Sequence, residues 1–259
     1  MKQTITSREN PRIKAASALV SSAKERRVRG LFAIEGLRLC TDAVKSGVSV
    51  REVYFTESFE TSFPEAAALL SDSAQACFSV SESVMDRLSD TSSPQGVFAL
   101  CETPRKALPE KGRFLILDRV ADPSNLGAAA RTAEALGMDG ILLSADCCDP
   151  LNPKALRASM GAFFRIPCEH TADLPERIKE MRKIGFSVFG SVVTGGDDVR
   201  RTEFSSPCAL VIGNEANGIS DSVRESCTAL VNIRMAGRAE SLNASAAAAI
   251  LMWEMMREL

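Results

Sequence analysis

The sequence has one histidine, one tryptophan and one tyrosine among 259 residues, and its eight cysteines are scattered without any Cys-x-x-Cys pair. Structural and catalytic zinc sites draw on histidines and on cysteines at short fixed spacings, so this pattern argues against a zinc centre and predicts no metal. Reduced thiols packed as small apolar side chains are the better interpretation of the cysteines.

Long apolar runs are also missing. No stretch reaches the roughly 18 residues of a membrane span, and the opening segment MKQTITSRENPRIK lacks the apolar part of a secretion signal. We therefore expect a cytoplasmic protein with no membrane partner. The hydrophobic fraction of 45% is sufficient for one large domain or two modest ones.

Two glycine signatures of nucleotide-binding α/β proteins are absent. The chain contains neither Gly-x-Gly nor Gly-x-x-x-x-Gly-Lys, and both motifs exist to bring backbone N–H groups close to phosphate. Their absence argues against a dinucleotide-dependent oxidoreductase and against a P-loop NTPase.

Charge is unevenly distributed, although the net charge is only -2. Residues 1–30 carry eight bases and two acids, whereas residues 31–104 carry four bases and eleven acids. A basic N-terminal face is suited to phosphate, and a solvated helix surface is the alternative explanation. The candidate contacts to a phosphate-bearing partner are Arg8, Arg12, Lys14, Arg26 and Arg29.

The order of elements predicts two domains. Residues 1–104 read as a small α/β unit, with a helix over 11–29, strands near 32–36, 50–56 and 96–102, and a helix over 37–47. The polar, proline-containing segment 105–112 reads as a linker. Strands and helices then alternate through residues 113–259, which predicts a parallel sheet covered by helices on both faces.

Three polar stretches follow predicted strands of the second domain, where ligands bind in open α/β sheets. They are DRVADPSNLGAAAR (118–131), GNEANGIS (213–220) and RMAGRAESLNAS (234–245). In the first, Ser124 or Asn125 can cap a helix whose alanines let a ligand or backbone approach. In the last, Ser241 or Asn243 can cap the final helix. An exposed helical arginine and an ordinary turn are the plainer explanations of Arg131 and of the second stretch.

Together the three stretches resemble the signature motifs of the SpoU (TrmH-type) RNA ribose 2′-O-methyltransferases of the SPOUT superfamily. The first motif has Asn125, Gly127 and Arg131, the second reads G-N-E-x-x-G over 213–218, and the third reads S-L-N-x-S over 241–245. Upstream, residues 5–19 and 29–39 resemble the ribosomal-protein-like substrate-binding domain of many ribosomal-RNA members. Arg234 and Ala244 depart from a proline and a valine that are common in the family.

The resemblance implies a catalytic domain whose C-terminal part forms a deep trefoil knot, S-adenosylmethionine as cofactor, RNA as partner and a homodimer. Its cofactor contacts would be Gly213, Ile233, Met235 and Leu242. The residues implied in catalysis are Asn125, Arg131, Glu215, Ser241 and Asn243.

Because a guanidinium stays protonated in proteins, we expect Arg131 to stabilise a developing ribose oxyanion and to grip an adjacent phosphate, with Asn125 and Glu215 orienting it. Ribosomal RNA is the expected substrate. The alternatives are a transfer-RNA ribose methyltransferase and a non-catalytic RNA-binding or ribosome-assembly factor.

Overall fold

The computed structural model describes residues 3–257, and they form two compact units. Within that part of the chain, the first unit contains the residues up to Pro104 together with Leu151–Phe164. The second unit contains Arg105–Pro150 and the residues from Arg165 onward.

The first unit is a five-stranded mixed sheet with six helices from its continuous part. Its strands lie in the order β1-β4-β3-β5-β2, with the pairs β1–β4 and β3–β4 parallel and the pairs β3–β5 and β2–β5 antiparallel. The strands are β1 (Gln3–Ile5), β2 (Leu31–Glu35), β3 (Val50–Phe55), β4 (Ala74–Val80) and β5 (Val97–Glu102). The helices are α1 (Pro11–Ser21), α2 (Ala23–Arg29), α3 (Leu37–Lys45), α4 (Glu57–Ser62), α5 (Pro64–Ser73) and α6 (Glu82–Leu88).

Aromatic packing stabilises this first sheet. The Tyr54 ring stacks on Phe78 with centroids 5.2 Å apart and meets the edge of Phe98 at 5.9 Å. Ile13 and Leu19 of α1 are fully buried against the same cluster. The apolar side of α1 therefore covers the sheet, as its sequence spacing predicts.

The second unit is a seven-stranded sheet in which all pairs are parallel, in the order β10-β12-β9-β11-β6-β7-β8. Its strands are β6 (Arg113–Leu117), β7 (Gly140–Ser144), β8 (Cys168–Thr171), β9 (Ser187–Ser191), β10 (Asp197–Asp198), β11 (Cys208–Ile212) and β12 (Ala229–Asn232). Its helices are α7 (Pro123–Ala135), α10 (Leu174–Lys183), α11 (Asp221–Ser226) and α12 (Ala244–Met256), with a single 3-10 turn at Val199–Arg201. This arrangement agrees with the predicted parallel α/β sheet.

Between β7 and β8 the chain returns to the first unit. Helix α8 (Pro153–Ser159) carries Arg157, which donates hydrogen bonds to Glu35 at 3.1 Å and to Asp90 at 2.6 Å. In α9 (Ala162–Arg165), the Phe164 ring lies 6.0 Å from that of Phe32. The compact units therefore do not follow a single cut in the sequence.

The predicted helix over residues 11–29 is two helices. Ser22 has extended backbone angles (φ -118°, ψ 110°), and its hydroxyl accepts a hydrogen bond from the Glu25 N–H. Serine followed three residues later by glutamate is a capping signal, so Ser22 ends α1 and begins α2. Several further elements were not predicted from the sequence: β1, β4, β8 and β10, and the helices α4 to α6.

Candidate active site

The three polar stretches lie at the carboxyl ends of β6, β11 and β12. In the order of the parallel sheet, β11 is the central strand, β6 is beside it, and β12 is separated from it by β9. Helices α7 and α12, which follow two of these stretches, are neighbours. The fold therefore gathers segments that are about 100 residues apart in sequence at one edge of the sheet, as expected for parallel strands.

Helix α7 begins two or three residues earlier than the capping prediction implied. Asp122 is the N-cap, and its side chain accepts hydrogen bonds from the backbone N–H groups of Ser124 and Asn125 at 2.8 and 2.9 Å. Pro123 occupies the first helical position, where its missing N–H has no cost. The predicted cap at Ser124 or Asn125 is thus wrong, and Asn125 is left with its side chain available.

Asn125 links the three motifs through its side-chain amide. Its Nδ2 donates to Oε1 of Glu215, and its Oδ1 accepts from Nδ2 of Asn243 at 2.9 Å. Because an amide carries both a donor and an acceptor, asparagine can join a carboxylate on one side to a second amide on the other. Three of the five residues predicted to act in catalysis therefore form one hydrogen-bonded chain.

Asn243 has a second role at the start of α12. Its Oδ1 accepts hydrogen bonds from Ser245 N at 2.9 Å and from Ala246 N at 3.3 Å, which makes it the N-cap of the helix. Of the two cap candidates, Ser241 and Asn243, the structure selects Asn243. Its amide nitrogen is thereby directed to Asn125.

Arg131 and Ser241 stand apart from this chain of hydrogen bonds. Both side chains are exposed, and neither has a hydrogen bond or ion pair with any other residue in 3–257. Arg131 lies six residues beyond Asn125 on α7, about 9 Å along the helix axis. The expectation that Asn125 and Glu215 orient Arg131 is not met within one chain, since those two side chains bind each other.

A cavity of about 450 Å³ opens beside the chain of hydrogen bonds, within the range of small-molecule sites. All four predicted cofactor residues line it, as do Glu215 and Ser241. Part of its wall is apolar and includes Ile212, Ile219 and Leu251. Its charged lining residues in the described chain are Glu215, Glu240 and Arg224.

One wall of this cavity was not predicted from the sequence. It is lined by residues 191–194, which are the last residue of β9 and the three that follow it, and β9 lies between β11 and β12. Applying the strand-end rule to β9 would have found them. Arg224 was missed because it lies on the short helix α11, which carries no motif.

Glycines shape the loop between β11 and α11. A Cβ on Gly213 would lie 2.1 Å from the carbonyl carbon of Gly218, and Gly218 itself has a φ of 64°. Two backbone hydrogen bonds close the loop, from Asn214 N to Gly218 O at 3.1 Å and from Gly218 N to Asn214 O at 2.8 Å. Glu215 is therefore carried on a tight, closed turn.

Most of the predicted RNA contacts are engaged within the first unit. Arg12 pairs with Glu52 and lies over the Phe78 ring at 4.5 Å. Lys14 pairs with Glu9 at 2.6 Å, which lowers the pKa of that carboxyl. Arg29 pairs with Glu25 at 2.9 Å.

Arg26 requires a correction. Its side chain is 3% exposed and donates hydrogen bonds to the carbonyls of Leu19 and Val20 at 2.7 and 3.1 Å. A buried guanidinium that closes the end of a helix cannot reach a phosphate, so the predicted RNA contact is wrong for this residue. Arg8 is exposed.

The family follows from comparison with known proteins. Residues 112–253, which contain all three motifs and the whole cavity lining, match the family described as SpoU rRNA methylase. The chain belongs to the SpoU rRNA methylase family. Residues 10–99 match a second family, the MRM3-like substrate binding domain.

Relatives within the SpoU family align along nearly the full chain. The 23S rRNA (guanosine(2553)-2'-O)-methyltransferase RlmP of Bacillus subtilis is 33% identical over 255 residues, covering 98% of this chain and 99% of that protein. The 23S rRNA (uridine(2479)-2'-O)-methyltransferase of Streptomyces viridochromogenes is 31% identical over 264 residues, covering 98% and 92%. The crystal structure of an AdoMet-bound rRNA methyltransferase from Sinorhizobium meliloti superimposes with a TM-score of 0.88 at 32% identity, covering 99% of this chain and 98% of that one.

The described residues contain neither a membrane-spanning helix nor a cluster of metal ligands. No helix in residues 3–257 is both long and apolar enough to cross a membrane. Over the same residues, no group of three or more histidine, cysteine or acidic side chains is arranged to hold a metal ion.

Proposed function

We propose that this SpoU-family protein transfers a methyl group from S-adenosylmethionine to a ribose 2′-hydroxyl of ribosomal RNA. One observation carries the proposal: the side chains of Asn125, Glu215 and Asn243 form a hydrogen-bonded chain next to the cavity lined by Gly213 and Leu242. Relatives that act on ribosomal RNA, and that align over both units, support the substrate class.

The cavity fits S-adenosylmethionine in size and in chemistry. Its apolar wall suits an adenine ring, and the carboxylates of Glu215 and Glu240 suit the positive sulfonium and ammonium groups. When bound, the cofactor supplies a methyl group already activated by the sulfonium. Gly213 lets the facing turn pack directly against the end of β11 at the cavity wall, because even one added carbon would collide with that turn.

The chain's own residues must then position and stabilise the attacking oxygen. Asn125 is fixed from both sides, by Glu215 and by Asn243, so its amide is preorganised next to Glu215, which lines the cavity. The exposed guanidinium of Arg131 can stabilise negative charge on a ribose oxygen and hold a phosphate through two hydrogen bonds. Ser241 shapes the same cavity.

The finer architecture belongs to the same proposal. We place RNA binding in residues 1–104, the linker at 105–112 and catalysis in 113–259, with the C-terminal part of the catalytic domain forming a deep trefoil knot. A knotted chain pulled from both ends should extend by less than its contour length in force spectroscopy. Because its substrate is ribosomal RNA, we place the enzyme in the cytoplasm, where cell fractionation should find it.

We also propose that the protein acts as a homodimer through α12. Two large apolar side chains three residues apart on this helix, Ile250 and Trp253, are 41% and 62% exposed. A second copy that covers them would also bring its surface to α7, which neighbours α12 and carries Arg131. Sedimentation velocity should give twice the chain mass, and Trp253→Glu should give the monomer.

Incubation with methyl-tritiated S-adenosylmethionine tests the reaction. Separate samples of unmodified ribosomal RNA and transfer RNA should show label in the ribosomal RNA alone, at a nucleotide that resists alkaline cleavage. Label on a base would refute ribose methylation, label in transfer RNA would favour that substrate, and binding without label would favour a non-catalytic factor.

Arg131→Lys tests the role of the guanidinium. It should retain binding of S-adenosylhomocysteine and lose about a hundredfold in turnover, since a lysine cannot make the paired contact to an oxyanion and a phosphate. Arg177→Lys on α10, which does not line the cavity, is the matched control. Near-normal turnover of Arg131→Ala would remove Arg131 from the mechanism.

A further inference from the structure

Arg119 has an unusual backbone conformation for a residue other than glycine. It follows the end of β6 with a φ of 58°, in the left-handed region that side chains with a Cβ rarely adopt. Its N–H donates to Oγ of Ser144 at 2.9 Å, and its carbonyl accepts from Nδ2 of Asn214 at 3.1 Å. The strained conformation is therefore held by contacts on both sides of the residue.

The Arg119 side chain reaches the same loop as its carbonyl. Its Nη2 donates to the carbonyl of Gly218 at 3.3 Å, and its Nε lies 3.6 Å from Oδ1 of Asp118. Asp118 is 3% exposed, and its Oδ2 accepts from the N–H of Ser220 at 2.7 Å. Asp118 and Arg119, the two residues after β6, therefore bind the closed turn at Gly218 and the backbone N–H of Ser220, two residues beyond it.

These contacts connect the same two segments that the candidate active site connects. Arg119 lies on the β6–α7 connection and Asn125 in the first turn of α7, while Asn214, Glu215 and Gly218 lie on the loop after β11. Arg119 holds both ends of the turn that carries Glu215, and Glu215 in turn accepts from Asn125. A shift of the turn would therefore misplace the carboxylate relative to the amide.

We propose that Arg119 is a positioning residue that sets the Glu215–Asn125 pair and one wall of the cofactor cavity. This inference rests on the proposed function. The competing assignment is a direct phosphate contact with RNA, but the guanidinium is turned inward onto Asp118 and the Gly218 carbonyl. Its Nη2 is used on the Gly218 carbonyl and its Nε is buried beside Asp118, so the guanidinium acts through the groups it faces.

Substitution by glycine separates the two parts of Arg119. Arg119→Gly keeps a residue that adopts the left-handed conformation and offers the same carbonyl to Asn214, but it removes the guanidinium. The affinity for S-adenosylhomocysteine and the turnover should each fall by about tenfold, as expected for loss of one charge-assisted hydrogen bond, with the KM for RNA nearly unchanged. Arg105→Gly, at an exposed position of the predicted linker, is the matched control and should change neither quantity.

A double-mutant cycle with Glu215→Gln tests the route of the effect. If Arg119 acts through Glu215, Arg119→Gly should add less than about twofold to the turnover loss of Glu215→Gln, because the group that Arg119 positions is already disabled. Arg119→Lys should recover part of the loss, since an ammonium can still reach a carbonyl. Calorimetry with S-adenosylhomocysteine gives a readout that does not depend on methyl transfer to RNA.

Three outcomes would overturn the proposal. Full additivity in the cycle would mean that Arg119 acts independently of Glu215. A rise in the KM for RNA at constant turnover and constant S-adenosylhomocysteine affinity would assign Arg119 to RNA binding. The glycine and lysine variants could also share a lower thermal midpoint while their affinity and turnover are unchanged at a temperature where both are folded. That result would leave Arg119 only a structural role. Absence of methyl transfer by the unmodified protein would refute the proposed function, while the calorimetry would still test Arg119.

Discussion

Alanine at position 213 should disable the cofactor cavity without unfolding the protein. The added Cβ would lie 2.1 Å from the carbonyl carbon of Gly218, 2.2 Å from the nitrogen of Ile219 and 2.3 Å from the oxygen of Gly218. All three are backbone atoms, so no rotamer change relieves the collision. The nearest of these atoms, at 2.1 Å, must move away by about 1.3 Å to reach an ordinary contact distance of about 3.4 Å.

That movement breaks the two backbone hydrogen bonds between Asn214 and Gly218. At about 1 kcal/mol each, their loss totals about 2 kcal/mol in the ligand-competent loop, equivalent to about thirtyfold in a dissociation constant. Isothermal titration calorimetry with S-adenosylhomocysteine should therefore show Gly213→Ala binding about thirtyfold more weakly than the unmodified protein.

Two other glycines separate collision from backbone strain. A Cβ on Gly237 would have no atom within 4 Å, so Gly237→Ala should bind normally although it lies in a loop that contributes to the cavity. Gly218→Ala also has open space but a φ of 64°, and its cost should be about 1 kcal/mol. Binding by Gly213→Ala within threefold of the unmodified protein would refute the reasoning.

Three further substitutions test other parts of the structure. Asn243→Ser keeps a capping side chain on α12 but loses the donor to Asn125. The thermal midpoint should therefore change little while turnover falls about tenfold. A large loss in both quantities would contradict separate roles for Asn243 in capping and in the contact to Asn125. Arg26→Met should lower the free energy of unfolding, measured in urea, by about 2 kcal/mol, because two carbonyls lose a buried donor. Arg27→Met, at an exposed position, should change it by less than about 0.5 kcal/mol. Similar values for the two variants would refute the burial argument. Burial raises the pKa of the Cys227 thiol to about 12, so the folded chain keeps a proton that the unfolded chain loses near pH 9, and stability should fall as the pH rises above about 9. Urea unfolding at pH 8 and pH 10 should show a smaller decrease for Cys227→Ala, and an equal decrease would exclude this thiol as a contributor.

The site could be predicted from sequence because its decisive residues are fixed locally. Parallel strands place the segments that follow them at one sheet edge, so the positions of Asn125, Glu215 and Asn243 follow from the strand pattern alone. The four cofactor residues, taken from the family resemblance, line one cavity. Their roles in binding and catalysis stay predictions.

Features that depend on distant partners could not be predicted. Nothing near Arg26 in sequence distinguishes it from the exposed Arg27 and Arg29, and only the packing of α2 against α1 directs it onto buried carbonyls. Likewise, the Arg119 contact to Gly218 joins residues 99 positions apart. The edge strand β8 was missed because its residues, Cys-Glu-His-Thr, do not alternate in polarity.

The excursion of Leu151–Phe164 into the first unit limits how such a gene can recombine. A fragment that ends at Pro104 would lack Arg157, the partner of Glu35 and Asp90, and would leave the ring of Phe32 without that of Phe164. Exchange of the first unit between related enzymes must therefore carry over a compatible stretch from between β7 and β8. The first unit has part of its covering encoded between two segments of the second, so the two are inherited together more readily than a boundary drawn in the sequence suggests.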